Sequence, residues 1–490
     1  MPRLGNFPLK WLETASAIVM VLAVLLLPVT SQPALSRLMG DSLVAPPAIL
    51  LIALLGLFWL PVFFIKGGKL PAETRPFIAF ILAVLTSSLA AYFIKFPAYR
   101  NFTPFDVEKD AFLTFMIAIG VYFLFALWFR TPKHLKLAAT LINASGLLLV
   151  AWCLAQLYVI LVRGGEYPGW MVRIQFIISV RSLLDHTFLT RVGGFAYEPS
   201  WLAHQLNILF IPFWFAATIT GYSSARKLAG VSLENILLVG AVAAMFFSFS
   251  RVGLLALMLM FAYALWRLHV HWIKRIQERN HWKLSLWMRF LVIVGLFFVY
   301  GLILLVVLAI MGRVDTRFAK LISLEDIPPN LFELAFRVDF AERVVYWANG
   351  FQTFARYPLL GVGLGNTGFF FGQHLPVIAS RLNEIVYVLT YENYLPNVKS
   401  LWVRLMSETG LVGFSLFCTW FYVLWRAGKH LEQQAAQVYR LFGWMAFFVI
   451  VAFLAEGFSI DSFTLPYLWV SLGLVTAASA IARQMPSKLI

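Results

Sequence analysis

The sequence predicts an all-α polytopic membrane protein of about twelve transmembrane helices, N-in and C-in, with a large outside helical loop between helices 9 and 10. Composition is the first observation behind this: of 490 residues 61% are hydrophobic and 13% charged, with a mean hydropathy of +0.81, against about 45–50% apolar usage in soluble domains. The second is a series of apolar runs close to the roughly 20 residues that cross a bilayer, centred near 21, 55, 85, 120, 149, 210, 240, 260, 299, 413, 448 and 473. The third is the placing of Lys and Arg between them.

The first run follows Lys10, and its flank VTSQPALS is a poor cleavage site, so it reads as an anchor and not as a signal peptide. With the N-terminus inside, the inner segments carry Arg3 and Lys10, Lys66, Lys69 and Arg75, Arg130, Lys133 and Lys136, Arg226 and Lys227, six Lys/Arg from Arg267 to Arg289, Arg426, Lys429 and Arg440, and Arg483 and Lys488. The short outside turns hold few, which satisfies the positive-inside rule with an even helix number. Three regions follow: residues 1–311 with helices 1–9, residues 312–398 as the large loop, and residues 399–490 with helices 10–12. A net charge of +16 would suggest nucleic acid in a soluble protein; here the cations punctuate apolar segments, and no nucleic-acid partner is expected. Cys153 and Cys418 lie within apolar runs, where a thiol acts as a small hydrophobe, so no disulfide framework, metal site or redox cofactor is expected.

Residues 164–199 and 312–398 are too long to be plain turns, and long loops on a rigid scaffold are where binding and chemistry concentrate. These two segments, with Arg251, Lys399 and Arg404, place basic residues on the side that the positive-inside rule depletes. Solvated loop charge and an outward-facing anion site both fit.

The first loop ends in RVGGFAYEPSWLAHQ, which gathers Arg191, Tyr197, Glu198 and His204 at the entry of the sixth helix. Pro199 suits a first helical turn, Glu198 can orient a hydroxyl or an arginine, and His204 reads more as a packing residue than as a base. Arg251, in SFSRVGLLAL, stands between the seventh and eighth helices with apolar sequence on both sides; it snorkels to the headgroups or lines a wet, functional cavity. In the large loop, NLFELAFRVDFAERVVYWANGFQTFARYP has helical spacing from an N-cap at Asn330 to a stop at Pro358. That is an amphipathic helix, straight or bent, on the membrane surface or over a cavity, with Arg343 and Trp347 on one face. It leads into PLLGVGLGNTG, whose Gly363, Gly365 and Gly368 match the letters of a dinucleotide fingerprint but lack the strand before it. Such a run is either a tight turn or a set of N–H groups facing an anion.

The tenth helix opens with NVKSLWVRLMSETGLVG, in which Arg404 and Glu408 are spaced to pair and Lys399 stands free at the mouth, able to face a cavity. Glu456 and Asp461, around the last outside turn, are candidate partners for these cations.

Four matched pieces in order, R..G...EPS from Arg191 to Ser200, Ser250-Arg251 with Gly253, Arg343 with Trp347 and PLLGVGLG, and SETGLVG, resemble the bacterial O-antigen ligase and polymerase superfamily of integral membrane glycosyltransferases. The resemblance covers about residues 190–415. It implies transfer of a glycan from an undecaprenyl diphosphate carrier to an acceptor glycan or lipid, at the outer face of a bacterial plasma membrane, without a nucleotide sugar or metal. Arg191, Arg251 and Arg343 would stabilise the diphosphate; Tyr197, Trp347, Arg404, Gly363 and Gly365 are candidate substrate contacts. Ligases of this kind carry His-Asn nine residues before the glutamate of the last motif, where this chain has Lys399-Ser400. That departure leaves two readings: a lysine with a lowered pKa at Lys399 takes the acceptor proton, or, as favoured here, Lys399 is one more phosphate clamp and Glu198 or another carboxylate takes the proton. It also tilts the expectation toward a polymerase. A transporter or flippase is the competing class, although the chain shows no internal repeat of the kind transporters carry.

Overall fold

The computed structural model describes residues 9–484 apart from 41, 228, 281–284, 315–318, 320–330, 338 and 374. Its helices in chain order are α1 (Leu9–Leu25), α2 (Pro33–Leu38), α3 (Pro47–Ile65), α4 (Arg75–Ala91), α5 (Pro104–Trp128), α6 (Pro132–Val162), α7 (Gly169–Ile178) and α8 (Pro199–Thr220). Then come α9 (Leu233–Phe247), α10 (Arg251–Asn280), α11 (Leu286–Val314), α12 (Leu331–Arg337), α13 (Ala341–Arg356), α14 (Asn383–Thr390), α15 (Leu401–Glu432), α16 (Gln437–Glu456) and α17 (Tyr467–Gln484). No strand forms among the described residues, only one isolated bridge between Ser31 and Ala45.

All twelve expected centres fall within helices. Eight helices among the described residues are long and apolar enough to cross a membrane, fewer than the twelve expected. The segments Trp11–Leu25, Leu233–Phe247 and Leu291–Leu302 form shorter apolar helices. Local sequence sets the helix starts. Thr103 and Thr131 accept hydrogen bonds from the Asp106 and His134 N–H groups, each with proline next in the chain, and Ser232 and Ser400 cap α9 and α15 in the same way.

Two helices form the centre of the bundle. The apolar windows of α8 and α16 are 89% and 83% buried, whereas the other six spans are 33–56% buried and turn an apolar face outward. α16 packs on α8, α10 and α15, α15 also packs on α4, and α17 packs on α5. α8 contains a π-turn at Leu206–Phe210, a local widening that often accompanies function.

The loop helix takes the bent form: α12 ends at Arg337 and α13 starts at Ala341, with Asp339 at φ 51° between them, and the expected cap Asn330 lies outside the described residues. The tenth predicted helix is broken as well, since Gly410 has φ 63° and ψ −168°. Along a straight helix Trp402 and Phe421 would be about 28 Å apart at about 1.5 Å per residue. Their rings are 6.0 Å apart, so the 401–409 half-helix folds back beside the 411–432 half.

Candidate active site

The glycine run explains that break. Breaking a helix orphans carbonyls on one side and N–H groups on the other. Val362 and Gly363 donate to the Ser407 and Glu408 carbonyls, each at 3.0 Å, while Leu411 and Val412 donate to the Pro358 and Leu359 carbonyls at 2.8 and 3.2 Å. Ser87 Oγ donates to the Leu360 and Glu408 carbonyls. The backbones approach so closely that a Cβ on Gly361 would lie 2.5 Å from the Glu408 carbonyl carbon, and one on Gly410 2.2 Å from the Leu359 oxygen. The Gly363 N–H is therefore spent on the Glu408 carbonyl and not turned outward to a substrate anion. Gly365, at φ 85°, sits where a Cβ would lie 3.0 Å from the side chains of both Ala111 and Val107.

The clasp presents the 399–409 segment at one end of the bundle. Arg404 Nε pairs with Glu408 at 2.9 Å, as the spacing implies, and Nη1 reaches the Asp461 carbonyl at 2.7 Å. Lys399 differs from expectation. It is not free at a cavity mouth, because its ammonium is bound by Glu384 and lies 4.7 Å from the centre of the Tyr346 ring. Burial, reinforced by the Glu384 charge, pushes the Tyr346 phenol well above its ordinary range.

Arg191 donates to the carbonyls of Ser248 at 2.9 Å and Phe249 at 3.4 Å, and Val192 N–H donates to the Phe247 carbonyl at 2.9 Å. The last part of the first loop thus caps the C-terminal end of α9, where a cation is favoured by the helix dipole. The same corner carries Arg251, the first residue of α10, whose Nη2 donates to the Asp339 carbonyl at 3.0 Å. Arg343, on α13, donates to the Lys399, Phe458 and Ser459 carbonyls at 3.2, 3.4 and 3.5 Å. Trp347, one turn further along, packs between Phe340 and Phe458, and its buried indole N–H has no hydrogen-bond partner among the described residues.

Five non-glycine residues have positive φ among the described residues, and three of them belong to this assembly: Phe249, Asp339 and Lys399. Left-handed backbone costs about 1–3 kcal/mol at such positions and gathers at functional sites. Here it aims the corner of Arg251, the carbonyl that receives it, and the residue that receives Arg343.

Glu198 stands at the entry to α8, accepts from Ser200 Oγ at 2.9 Å and lies 4.0 Å from Arg181 Nη1. Arg181 also bonds Asp185 and Thr187 at 3.0 and 2.9 Å and covers the Tyr197 ring at 5.4 Å. Sequence reasoning missed this arginine; its signal was the pairing distance in RSLLD. Glu456 is not a partner of the outer cations. It turns inward, 3.3 Å from His204 Nδ1 and 2.7 Å from Asn207 Nδ2, and all three are buried. Asn207 also holds the Gly253 carbonyl at 2.8 Å. One carboxylate thereby ties the α8 entry, the start of α10 and the 457–460 turn that receives Arg343 and Leu401.

Residues 236–418 match the family model of the O-antigen ligases. The match supports the O-antigen ligase and polymerase superfamily. The matched segment includes Arg251, Arg343, Trp347, the glycine clasp, Lys399 and Arg404; Arg191, Tyr197 and Glu198 precede it. No curated protein matches the chain. A ligase- or polymerase-type role in surface polysaccharide assembly, in a membrane, follows from the family match and the apolar helices.

Proposed function

We propose that the protein transfers a glycan from an undecaprenyl diphosphate carrier to an acceptor sugar at the outer face of the bacterial plasma membrane, as a polymerase rather than a ligase. The observation that carries this reading is the arginine corner: Arg191 is docked on the turn that bears Arg251, with strained backbone on both sides of the contact. The carbonyl contacts fix the direction of the guanidinium groups. In the reaction the acceptor oxygen bonds to the sugar C1, the bond from C1 to the diphosphate oxygen breaks, and the carrier diphosphate leaves with added negative charge. Fixed guanidinium groups stabilise that charge as it develops.

Arg343 and the half-buried Trp347 ring contact the glycan, with Tyr197 and Arg404 shaping the mouth. Glu198 accepts the acceptor proton, because Lys399 is held by Glu384. The reading is tested by incubating purified protein with a lipid-diphosphate oligosaccharide, alone and with candidate acceptors. A ladder of products is expected, abolished by Arg191→Ala with the protein still folded. A single addition to a different acceptor makes it a ligase; solute flux in proteoliposomes with no glycan product overturns the reading in favour of transport.

A further inference from the structure

Away from the arginine corner, a cleft of about 730 Å³ runs between α15 and α16. Trp402, Phe421, Tyr422, Trp425 and Leu454 wall it, and Arg426 and Lys429 stand at its far end. The wall is built on packed rings, with Trp425 4.7 Å from Phe447 and 5.5 Å from Tyr263, while Tyr422 is 60% exposed. From Cys418, also in the lining, to Lys429 the helix rises about 17 Å, close to one leaflet of a hydrocarbon core about 30 Å thick.

The two cations are what the cleft lacks an answer for. Arg426 and Lys429 are three residues apart on one helix face, exposed, and without a hydrogen-bond or ion-pair partner among the described residues. The nearest carboxylate on the helix is taken: Glu432 binds Arg267 at 2.6 Å, and that guanidinium in turn lies 4.8 Å from the Trp444 ring centre. An apolar slot one leaflet deep that ends in two uncompensated cations suits an acyl chain joined to a negatively charged headgroup.

We infer that this cleft binds one anionic phospholipid, its acyl chain along the aromatic wall and its phosphate on Arg426 and Lys429. The lipid braces the 411–432 half of α15 against α16, opposite the clasp that holds the other end. On the outward-facing reading of the arginine corner, the lipid comes from the inner leaflet; the binding itself does not depend on that reading.

The full chain, reconstituted in phosphatidylcholine nanodiscs with graded phosphatidylglycerol or phosphatidylethanolamine, is released into a native mass spectrometer and its bound lipid identified. One phosphatidylglycerol per chain is expected, retained about tenfold over phosphatidylethanolamine. Arg426→Ala/Lys429→Ala removes the preference and Lys66→Ala/Lys69→Ala keeps it; the single change Lys429→Gln weakens it and serves if the double variant does not fold. Equal retention of both headgroups, an unchanged preference in Lys429→Gln, or replacement of the phospholipid by undecaprenyl phosphate overturns the inference.

Discussion

Two polar islands stand in this apolar chain, the glycine clasp at 358–368 and the arginine corner around 191 and 251, and they treat their polar atoms in opposite ways. The clasp turns N–H and carbonyl groups onto the ends of a broken helix, so that the Ser407 and Glu408 carbonyls and the Leu411 and Val412 N–H groups have partners inside the protein. The corner holds charged side chains by backbone carbonyls at a turn with positive φ. Conspicuous glycine spacing can thus be architecture, while function gathers where charge and strain coincide. Changes at the corner should alter rate per folded molecule, and changes at the clasp the number of folded molecules.

The largest effect is expected from Arg251→Ala. Removing one fixed donor from a developing anion lowers turnover by about 10²–10³, with the protein still monodisperse in detergent. Arg251→Lys keeps charge but not the fork geometry and should recover only part of the rate. Unchanged turnover in both variants would remove Arg251 from the site.

Gly410→Ala probes the other island. The backbone conformation alone costs about 1–3 kcal/mol, and the added Cβ meets the Leu359 carbonyl at 2.2 Å. The yield of monodisperse protein and its thermal midpoint should fall, while the molecules that remain folded keep their turnover. A normal yield with lost turnover would make the clasp part of the chemistry.

Much of the fold was legible, because windows of about 20 apolar residues announce helices wherever they occur. The break at Gly410 was not. Gly410 permits a break, but a glycine inside an apolar run is no sign of one by itself, and what selects the bend is a run some fifty residues earlier that caps both halves. In the site, the pairing of Arg404 with Glu408 was local and readable. The docking of Arg191 on Ser248 and of His204 on Glu456 joins residues far apart in sequence, which no spacing rule reaches. Lys399 was misjudged for the same reason, since its partner Glu384 comes from a different helix.

Glu456 ties the α8 entry, beside the arginine corner, to the 457–460 turn, so Glu456→Ala sharpens the comparison. It leaves His204 Nδ1 and Asn207 Nδ2 facing a buried gap, at a cost of about 1–3 kcal/mol for an unsatisfied group. Thermal stability should fall by that amount. Turnover should fall with it, because the 457–460 turn that receives Arg343 loses its anchor. Lower stability with unchanged turnover in the folded fraction would confine Glu456 to packing.

The smallest effect concerns the loop that delivers Glu198. The hydrogen bond from Arg181, helped by the Thr187 N–H, holds the Asp185 carboxyl below its ordinary range. A folded-state value below the unfolded one means that the contribution is present above the unfolded pKa of about 3.9 and disappears as pH falls through the folded value. Side-chain exposure of 35% for Asp185 keeps the effect modest through solvent screening. Amide exchange in residues 181–198 should therefore be slower in the parent than in Asp185→Asn at pH 7, and the two should converge as the pH drops below about 4. If they exchange alike at neutral pH, Arg181 holds Glu198 and Tyr197 without help from Asp185, and the entry to the arginine corner is set by Arg181 and the rings of Phe188 and Tyr197 alone.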